Sequence, residues 1–152
     1  MDLDLYCFYV TKTGKTGKIY YRNKGSNKKS PYIVLDGDSR QAGKETIHIE
    51  RTEDLQYVLF AAYSALSNGV GSFHSMKAKA VVDNHKGNIV EAPLLERNKF
   101  SYWVAIAHID FRDSSSMKIS HVETYSKINS EASPLLYEDG TFKMDVGPVE
   151  FK

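Results

Sequence analysis

The sequence contains very little cysteine: Cys7 is the one cysteine among 152 residues. A single cysteine excludes both an internal disulfide and a zinc site built from several cysteines. Cys7 lies within an apolar stretch, so we expect a buried and unreactive thiol.

The sequence also lacks long apolar runs. No stretch approaches the roughly 20 apolar residues that a membrane-spanning helix requires, which predicts no insertion into a membrane. The first four residues have neither the basic nor the apolar region of a signal peptide. Together with the single cysteine, these features predict a cytoplasmic protein, and its length predicts a single domain over residues 1–152. The formal net charge of +1 gives no overall attraction to nucleic acid or membrane.

Enzyme motifs are missing as well. The glycine-rich stretch Ser67–Ser72 lacks the lysine of a phosphate-binding loop and the spacing of a dinucleotide-binding loop. The chain has no GxSxG motif, which would mark a nucleophilic serine. We therefore expect a protein that binds a partner or ligand and is not an enzyme.

Alternating apolar residues and ten tyrosines instead favour β-strands. Alternation from Leu3 to Val10 predicts a first strand, and that from Ser101 to Phe111 is the strongest strand signal in the chain. In the latter, Val104, Ile106 and His108 are expected on one face, and Trp103, Ala105 and Ala107 on the other. Further strands are predicted at Ile19–Tyr21, Tyr32–Leu35, Thr46–Glu50, Lys77–Val82, Ile89–Ala92, Lys118–Tyr125, Leu135–Tyr137 and Phe142–Val146. Short strands separated by turn residues are typical of an all-β, antiparallel β-sandwich with at most one short helix.

The segment Thr52–Gly69 has two interpretations. Its apolar residues keep helical spacing, with Thr52 as a possible N-cap, and taken alone they slightly favour a helix. The same residues also form a continuous apolar run, as expected for a strand buried on both faces.

An acidic loop is the first candidate site. Asp36 and Asp38 follow a predicted strand, Glu45 lies a few residues on, and Asp2 and Asp4 begin the first strand. Calcium prefers six to eight oxygen ligands from carboxylates, carbonyls and water. The alternative is a solvated turn in which aspartate and glycine satisfy the backbone.

A basic run is the second candidate. No acidic residue occurs between Leu5 and Leu35. This stretch carries Lys12, Lys15, Lys18, Arg22, Lys24, Lys28 and Lys29, interleaved with Tyr20, Tyr21 and Tyr32. Basic charge beside aromatic rings is used to bind single-stranded nucleic acid or an anionic surface. The alternative is a lysine-rich, solvated hairpin that protects edge strands from aggregation.

Two histidines form the third candidate. If the turn after Phe111 is centred between Ser114 and Ser115, His108 lies opposite His121. Asp110 and Glu123 are then close neighbours on the same hairpin, and the four side chains offer zinc ligands. The alternative is two histidines that are hydrogen-bonded or exposed.

Several motifs resemble those of the tellurium-resistance (TerD-type) stress proteins. Asp2–Phe8 is similar to the family's "DLDxSxFLL" strand, Ile19–Asn23 to its "FxFYN" strand, and Gly37–Ser39 to its "SGDN" loop. Tyr57–Tyr63, Met76–Val82 and Ser101–Phe111 resemble three later strands. The resemblance implies a calcium-binding β-sandwich that acts in cytoplasmic stress resistance through assembly with partner proteins.

The resemblance also implies roles for particular residues. Asp38 is the central calcium ligand, with Asp2, Asp4, Asp36 and Glu45 around it. Over Thr52–Gly69, it implies a short turn at Thr52–Leu55 followed by a central strand.

Two departures from the family pattern concern the loop and the C-terminus. The family's acidic run is reduced here to Arg40–Glu45, with positive charges at Arg40 and Lys44. We therefore expect weak calcium binding. The stretch from Ser126 onwards carries none of the family motifs.

Overall fold

The computed structural model describes residues 3–35, 46–64, 79–83, 89–93, 101–113 and 116–150. These residues form β-strands and no helix, so the all-β, antiparallel prediction is confirmed for them. None of them forms a helix long and apolar enough to cross a membrane. The strands are β1 (Leu3–Thr11), β2 (Thr16–Ile19), β3 (Ile33–Leu35), β4 (Ile47–Ile49), β5 (Leu55–Ser64), β6 (Lys79–Asp83), β7 (Ile89–Pro93), β8 (Trp103–Asp110), β9 (Lys118–Tyr125), β10 (Leu135–Leu136) and β11 (Phe142–Lys143).

A five-stranded antiparallel sheet forms the centre, in the order β2-β1-β5-β8-β9. Three antiparallel pairs accompany it: β3 with β4, β6 with β7, and β10 with β11. The central strand is β5, which begins at Leu55 after a turn closed by a bond from the Leu55 N–H to the Thr52 carbonyl (3.0 Å). The predicted turn and central strand are confirmed over residues 52–64. Residues 65–69 of the ambiguous segment lie outside the described ranges.

The three central strands of the sheet, β1, β5 and β8, are buried on both faces. One face, here called the hairpin face, packs against the β3–β4 hairpin through Cys7, Val58, Phe60, Ile106 and Ile109. The other, here called the aromatic face, carries Tyr6, Phe8, Tyr63 and Trp103 and packs against Leu136, Phe142 and Met144 of the C-terminal segment. Burial on both faces explains why residues 57–63 of β5 form an apolar run. In the described residues the covering layers are short hairpins and loops, so the two-sheet sandwich stays a prediction.

The end of β2 differs from the prediction. Tyr20 and Asn23 exchange backbone hydrogen bonds of 2.9 Å in each direction, which closes a tight turn directly after Ile19. The predicted strand over Ile19–Tyr21 is therefore wrong. The strand lies earlier, at Thr16–Ile19, where it pairs with β1.

A β-bulge in β8 corrects the predicted alternation of that strand. Its pairing with β9 shifts between Ala105 and Ala107, and Ile106 and Ala107 both join the hairpin-face cluster. A bulge adds one residue to a strand and reverses the orientation of those that follow. As a result, His108 does not share a face with Ile106; it lies beside Tyr57 on the aromatic face.

Candidate functional site

Of the five predicted calcium ligands, Asp4 is the one within the described residues. Asp2, Asp36, Asp38 and Glu45 lie outside the described ranges. The acidic loop is nevertheless flanked by described residues, because Leu35 at the end of β3 pairs with Ile47 at the start of β4. The two ends of the loop are therefore held side by side by a hairpin.

Asp4 is a deeply buried carboxylate in β1. It is 1% exposed and pairs across the sheet with Tyr63 of β5. Strand alternation places it on the same side of β1 as Tyr6, which belongs to the aromatic face. The β3–β4 hairpin that carries the acidic loop packs on the opposite face. The structure thus brings Asp4 close to the aromatic face rather than to the strands that flank the loop.

A second buried carboxylate, Glu150, approaches the same region. Glu150 is 8% exposed and forms an ion pair with Lys18 of β2. Its carbonyl oxygen accepts a hydrogen bond of 3.1 Å from the Tyr63 hydroxyl. Burial raises the pKa of Tyr63 to about 12, and the negative charges of Glu131, Asp4 and Glu150 add to the shift.

The Tyr6 ring is the centre of this cluster. It stacks on Tyr20 with ring centres 5.0 Å apart and meets Trp103 edge-on at 4.7 Å. The Tyr6 hydroxyl is buried and has no hydrogen-bond partner among the described residues. Burial raises the pKa of Tyr6 far above its usual value, and the nearby carboxylates of Glu150 and Asp4 raise it further. The arrangement therefore holds two buried acids and a neutral phenol close together, with Lys18 as the adjacent cation.

This cluster was not predicted from the sequence. Lys18 and Glu150 are 132 positions apart, so no local pattern connects them. Lys18 was predicted as one member of the basic run, whereas the structure turns it onto the aromatic face, 4.6 Å from the centre of the Tyr20 ring. Lys18 pairs with Phe8 across β1 and β2, and Phe8 belongs to the aromatic face. Had the register been known, this pairing would have placed Lys18 on that face.

The histidine hairpin does not have the geometry that zinc requires. The structure pairs His108 with Ser120 and His121 with Ala107, one residue away from the predicted register. Adjacent residues of a strand point to opposite faces, so the two imidazoles lie on opposite sides of the sheet. His108 donates from Nε2 to the Gly140 carbonyl at 2.8 Å, and His121 lies 3.3 Å from Glu123. The predicted zinc arrangement is therefore wrong.

No cluster of three or more histidine, cysteine, aspartate or glutamate side chains suited to a metal occurs within the described part of the chain. Cys7 is fully buried, and burial raises the pKa of its thiol, in line with the expected unreactive cysteine. A comparison of the chain with protein-family models and with curated proteins finds no match.

The basic run retains most of its charge at the surface. Lys12, Lys15, Lys24, Lys28 and Lys29 are exposed. Two further cations lie over tyrosine rings: Arg22 is 5.7 Å from the centre of Tyr21, and Arg51 is 4.2 Å from the centre of Tyr32. Within the predicted run, Lys18 contacts Tyr20 and Arg22 contacts Tyr21, whereas the cation over Tyr32 is Arg51, which lies outside that run.

Proposed function

We propose that the chain is a non-enzymatic, calcium-binding stress-response module similar to the TerD-type proteins, which acts by assembling with other proteins. The observation that carries the proposal is the β3–β4 hairpin, in which Leu35 pairs with Ile47 and the two ends of the acidic loop are held side by side. Carboxylates and carbonyls gathered on one loop are the oxygen ligands that calcium prefers. In the pattern that this segment resembles, the loop binds calcium.

The proposed calcium site takes its principal ligands from the acidic loop. Asp38, Asp36 and Glu45 supply hard carboxylate oxygens, and main-chain carbonyls and water complete the shell that calcium requires. Asp4 and Asp2 are the further candidates. Because Asp4 belongs to the aromatic face, its contribution is tested separately from that of the loop.

The residues fit calcium in chemical type but favour weak binding. All five candidates offer oxygen, the ligand atom that hard cations prefer. Arg40 and Lys44 lie within the same loop, and their positive charges oppose a divalent cation. Calcium bound here would carry no chemical step; it would fix the loop that joins β3 to β4.

The thermal stability of the protein in calcium, magnesium and chelator tests the proposal. A ligand that binds the folded state alone stabilises it by about 2.7 kcal/mol at a hundred times its dissociation constant. We expect millimolar calcium to raise the melting temperature, magnesium to raise it much less, and Asp38→Asn to abolish the calcium effect. Glu53→Gln, a matched loss of one charge at an exposed residue, is expected to retain it. Equal melting temperatures in calcium and in chelator would refute calcium binding.

The variant Asp4→Asn assigns the role of the first strand. If Asp4 is a ligand, its variant loses the calcium effect in the same way as Asp38→Asn. If Asp4 compensates charge within the aromatic face alone, the variant changes the melting temperature equally in calcium and in chelator. The second result would remove Asp4 from the proposed site and leave the loop ligands in place.

Assembly with other proteins has support from the C-terminal segment. Ile128, Val146 and Val149 are large apolar side chains that are 65%, 48% and 43% exposed. Asp145 accepts a hydrogen bond from the Lys127 N–H at 3.0 Å, which brings the residues next to Ile128 and Val146 together. Light scattering on the purified chain, with and without calcium, measures whether it associates with itself before other partners are sought.

A further inference from the structure

The exposed basic residues form a strip that passes around one edge of the central sheet. The edge strand is β2, and Lys18 extends from it over the aromatic face. Beyond the turn at Tyr20, the chain runs alongside β3, with the Lys24 carbonyl bonded to the Leu35 N–H. Since β3 packs on the hairpin face, the basic segment crosses from one face of the sheet to the other.

The strip carries a concentrated positive charge. Between Leu5 and Leu35 the sequence has seven basic residues and no acidic one, whereas the rest of the chain is net negative. Within the described residues, Lys18 is paired with Glu150, and no ion pair involves the five exposed lysines of the strip. Those lysines are Lys12, Lys15, Lys24, Lys28 and Lys29. Such asymmetry attracts a polyanion although the net charge of the whole chain is close to zero.

Three tyrosines lie along the strip, each next to a cation. Lys18 lies over Tyr20 and Arg22 over Tyr21 on the aromatic side, and Arg51 lies over Tyr32 beside β3. All three rings are half-buried. A tyrosine ring or a guanidinium plane provides a surface on which a nucleobase stacks, and the neighbouring lysines bind phosphates.

We infer that this strip binds single-stranded nucleic acid. A flexible phosphate chain follows a strip around the edge of a sheet, whereas a flat bilayer contacts one face at a time. An acidic peptide would add to the edge of β2 through main-chain bonds, but the Asn23 side chain already donates to the Lys18 carbonyl there at 3.0 Å. The inference is independent of calcium, because none of the strip residues is a proposed calcium ligand.

Fluorescence anisotropy with labelled oligothymidylate and oligouridylate, titrated at several salt concentrations, tests the inference. The matched variants are Lys24→Gln/Lys28→Gln/Lys29→Gln and the control Lys118→Gln/Lys127→Gln/Lys143→Gln. Both remove three charges from exposed lysines. Each phosphate contact on a single strand contributes about 0.7 to the slope of log K against log salt. We expect the strip variant to lose affinity by tenfold or more at low salt, with a slope shallower by about 2, and the control to bind as the wild type.

Three results would overturn the inference. The first is the absence of oligonucleotide binding at low salt. The second is an equal loss of affinity in both triple variants, which would show non-specific attraction by total charge. The third is binding to vesicles that contain phosphatidylserine, and not to oligonucleotides or to phosphatidylcholine vesicles. That outcome would make the strip a membrane-binding surface. Melting curves of both variants confirm that each remains folded under the assay conditions.

Discussion

The ring of Tyr57 lies directly against the backbone of Gly140, so closely that a Cβ atom at Gly140 would lie 2.5 Å from Cε1 of the ring. Tyr57 is in β5, and Gly140 is in the turn between β10 and β11. The Gly140 carbonyl also accepts the hydrogen bond from His108 of β8. The C-terminal hairpin is therefore fixed onto the aromatic face by contacts to two strands of the central sheet.

Replacing Gly140 by alanine is expected to be strongly destabilising. Gly140 has a φ of +86°, so alanine adds backbone strain of about 1–3 kcal/mol. Its Cβ also meets the Tyr57 ring, and such overpacking costs typically about 1–3 kcal/mol. We predict a loss of about 3 kcal/mol in the free energy of unfolding, measured by urea denaturation.

Gly14 provides the matched control for this change. Its φ of +85° is nearly the same, but a Cβ there would be no nearer than 3.7 Å to the Glu138 side chain. Gly14→Ala should therefore cost the backbone strain alone, about 1–3 kcal/mol, and less than Gly140→Ala. Equal losses in the two variants would show that the contact with Tyr57 is unimportant.

Much of the strand pattern could be predicted from the sequence, because alternation and turn residues are local properties. β9 has the predicted bounds, Lys118–Tyr125. The bulge in β8 could not be predicted in this way. It depends on how β8 packs against β5 and β9, where small residues, Ala61, Ala105 and Ala107, lie at the register shifts. The bulge reversed the orientation of His108 relative to Ile106, and a one-residue difference in the β8–β9 register, which pairs His108 with Ser120, removed the zinc arrangement.

The candidate site was less accessible to sequence reasoning. The motif "DLD" identified Asp4 as a functional candidate, but not its burial. The contacts of Glu150 with Lys18 and Tyr63 join β2 and β5 to the end of the described chain, and the separation of these residues in sequence leaves no periodic signal. The basic strip was predicted from its composition, because charge at a surface depends little on the details of packing.

The ion pair between Lys18 and Glu150 should contribute measurably to stability. Their side chains are 25% and 10% exposed, so the pair is shielded from solvent more than a surface pair. Removing one partner leaves the other charge partly buried and uncompensated. We predict that Glu150→Gln lowers the free energy of unfolding by about 2 kcal/mol, between the values for surface and buried pairs. A double-mutant cycle with Lys18→Gln isolates the interaction, and a coupling of zero would contradict it.

Tryptophan fluorescence reports on the cover over the aromatic face. Trp103 is the one tryptophan in the chain and is fully buried, and its Nε1–H donates to the Glu131 carbonyl at 3.0 Å. We predict blue-shifted emission in the native protein and little quenching by iodide. Unfolding in guanidinium should shift the emission to longer wavelength and increase the quenching. Strong iodide quenching under native conditions would mean that the C-terminal segment does not cover Trp103.

Asp110 should make stability sensitive to strong acid. Arg112 donates from Nε and Nη2 to the Asp110 carboxylate at 3.1 and 2.9 Å, which lowers the pKa of Asp110 from 3.8 to about 2. Because the pKa of Asp110 is lower in the folded than in the unfolded protein, its contribution to stability is fully present above the unfolded-state pKa. The contribution is lost as the pH falls from about 4 to about 2. Because the Arg112 side chain is exposed, we expect the pair to contribute less than about 1 kcal/mol to the free energy of unfolding.

The difference in unfolding free energy between wild type and Asp110→Asn measures this contribution. It should be constant from pH 7 to about pH 4 and should decrease between about pH 4 and about pH 2. A difference that stays constant down to pH 2 would show that Asp110 has the same proton affinity in the folded and unfolded states.

Direct calcium titration tests the central claim most directly. Isothermal titration calorimetry on chelator-treated protein should give a saturable heat with a dissociation constant of about 10⁻⁴ to 10⁻³ M, the weak end of the range for protein calcium sites. The heat should vanish in Asp38→Asn and persist in Glu53→Gln. The absence of a saturable heat in the wild type, or the same binding curve in Asp38→Asn, would contradict the proposal that this chain is a calcium-binding module.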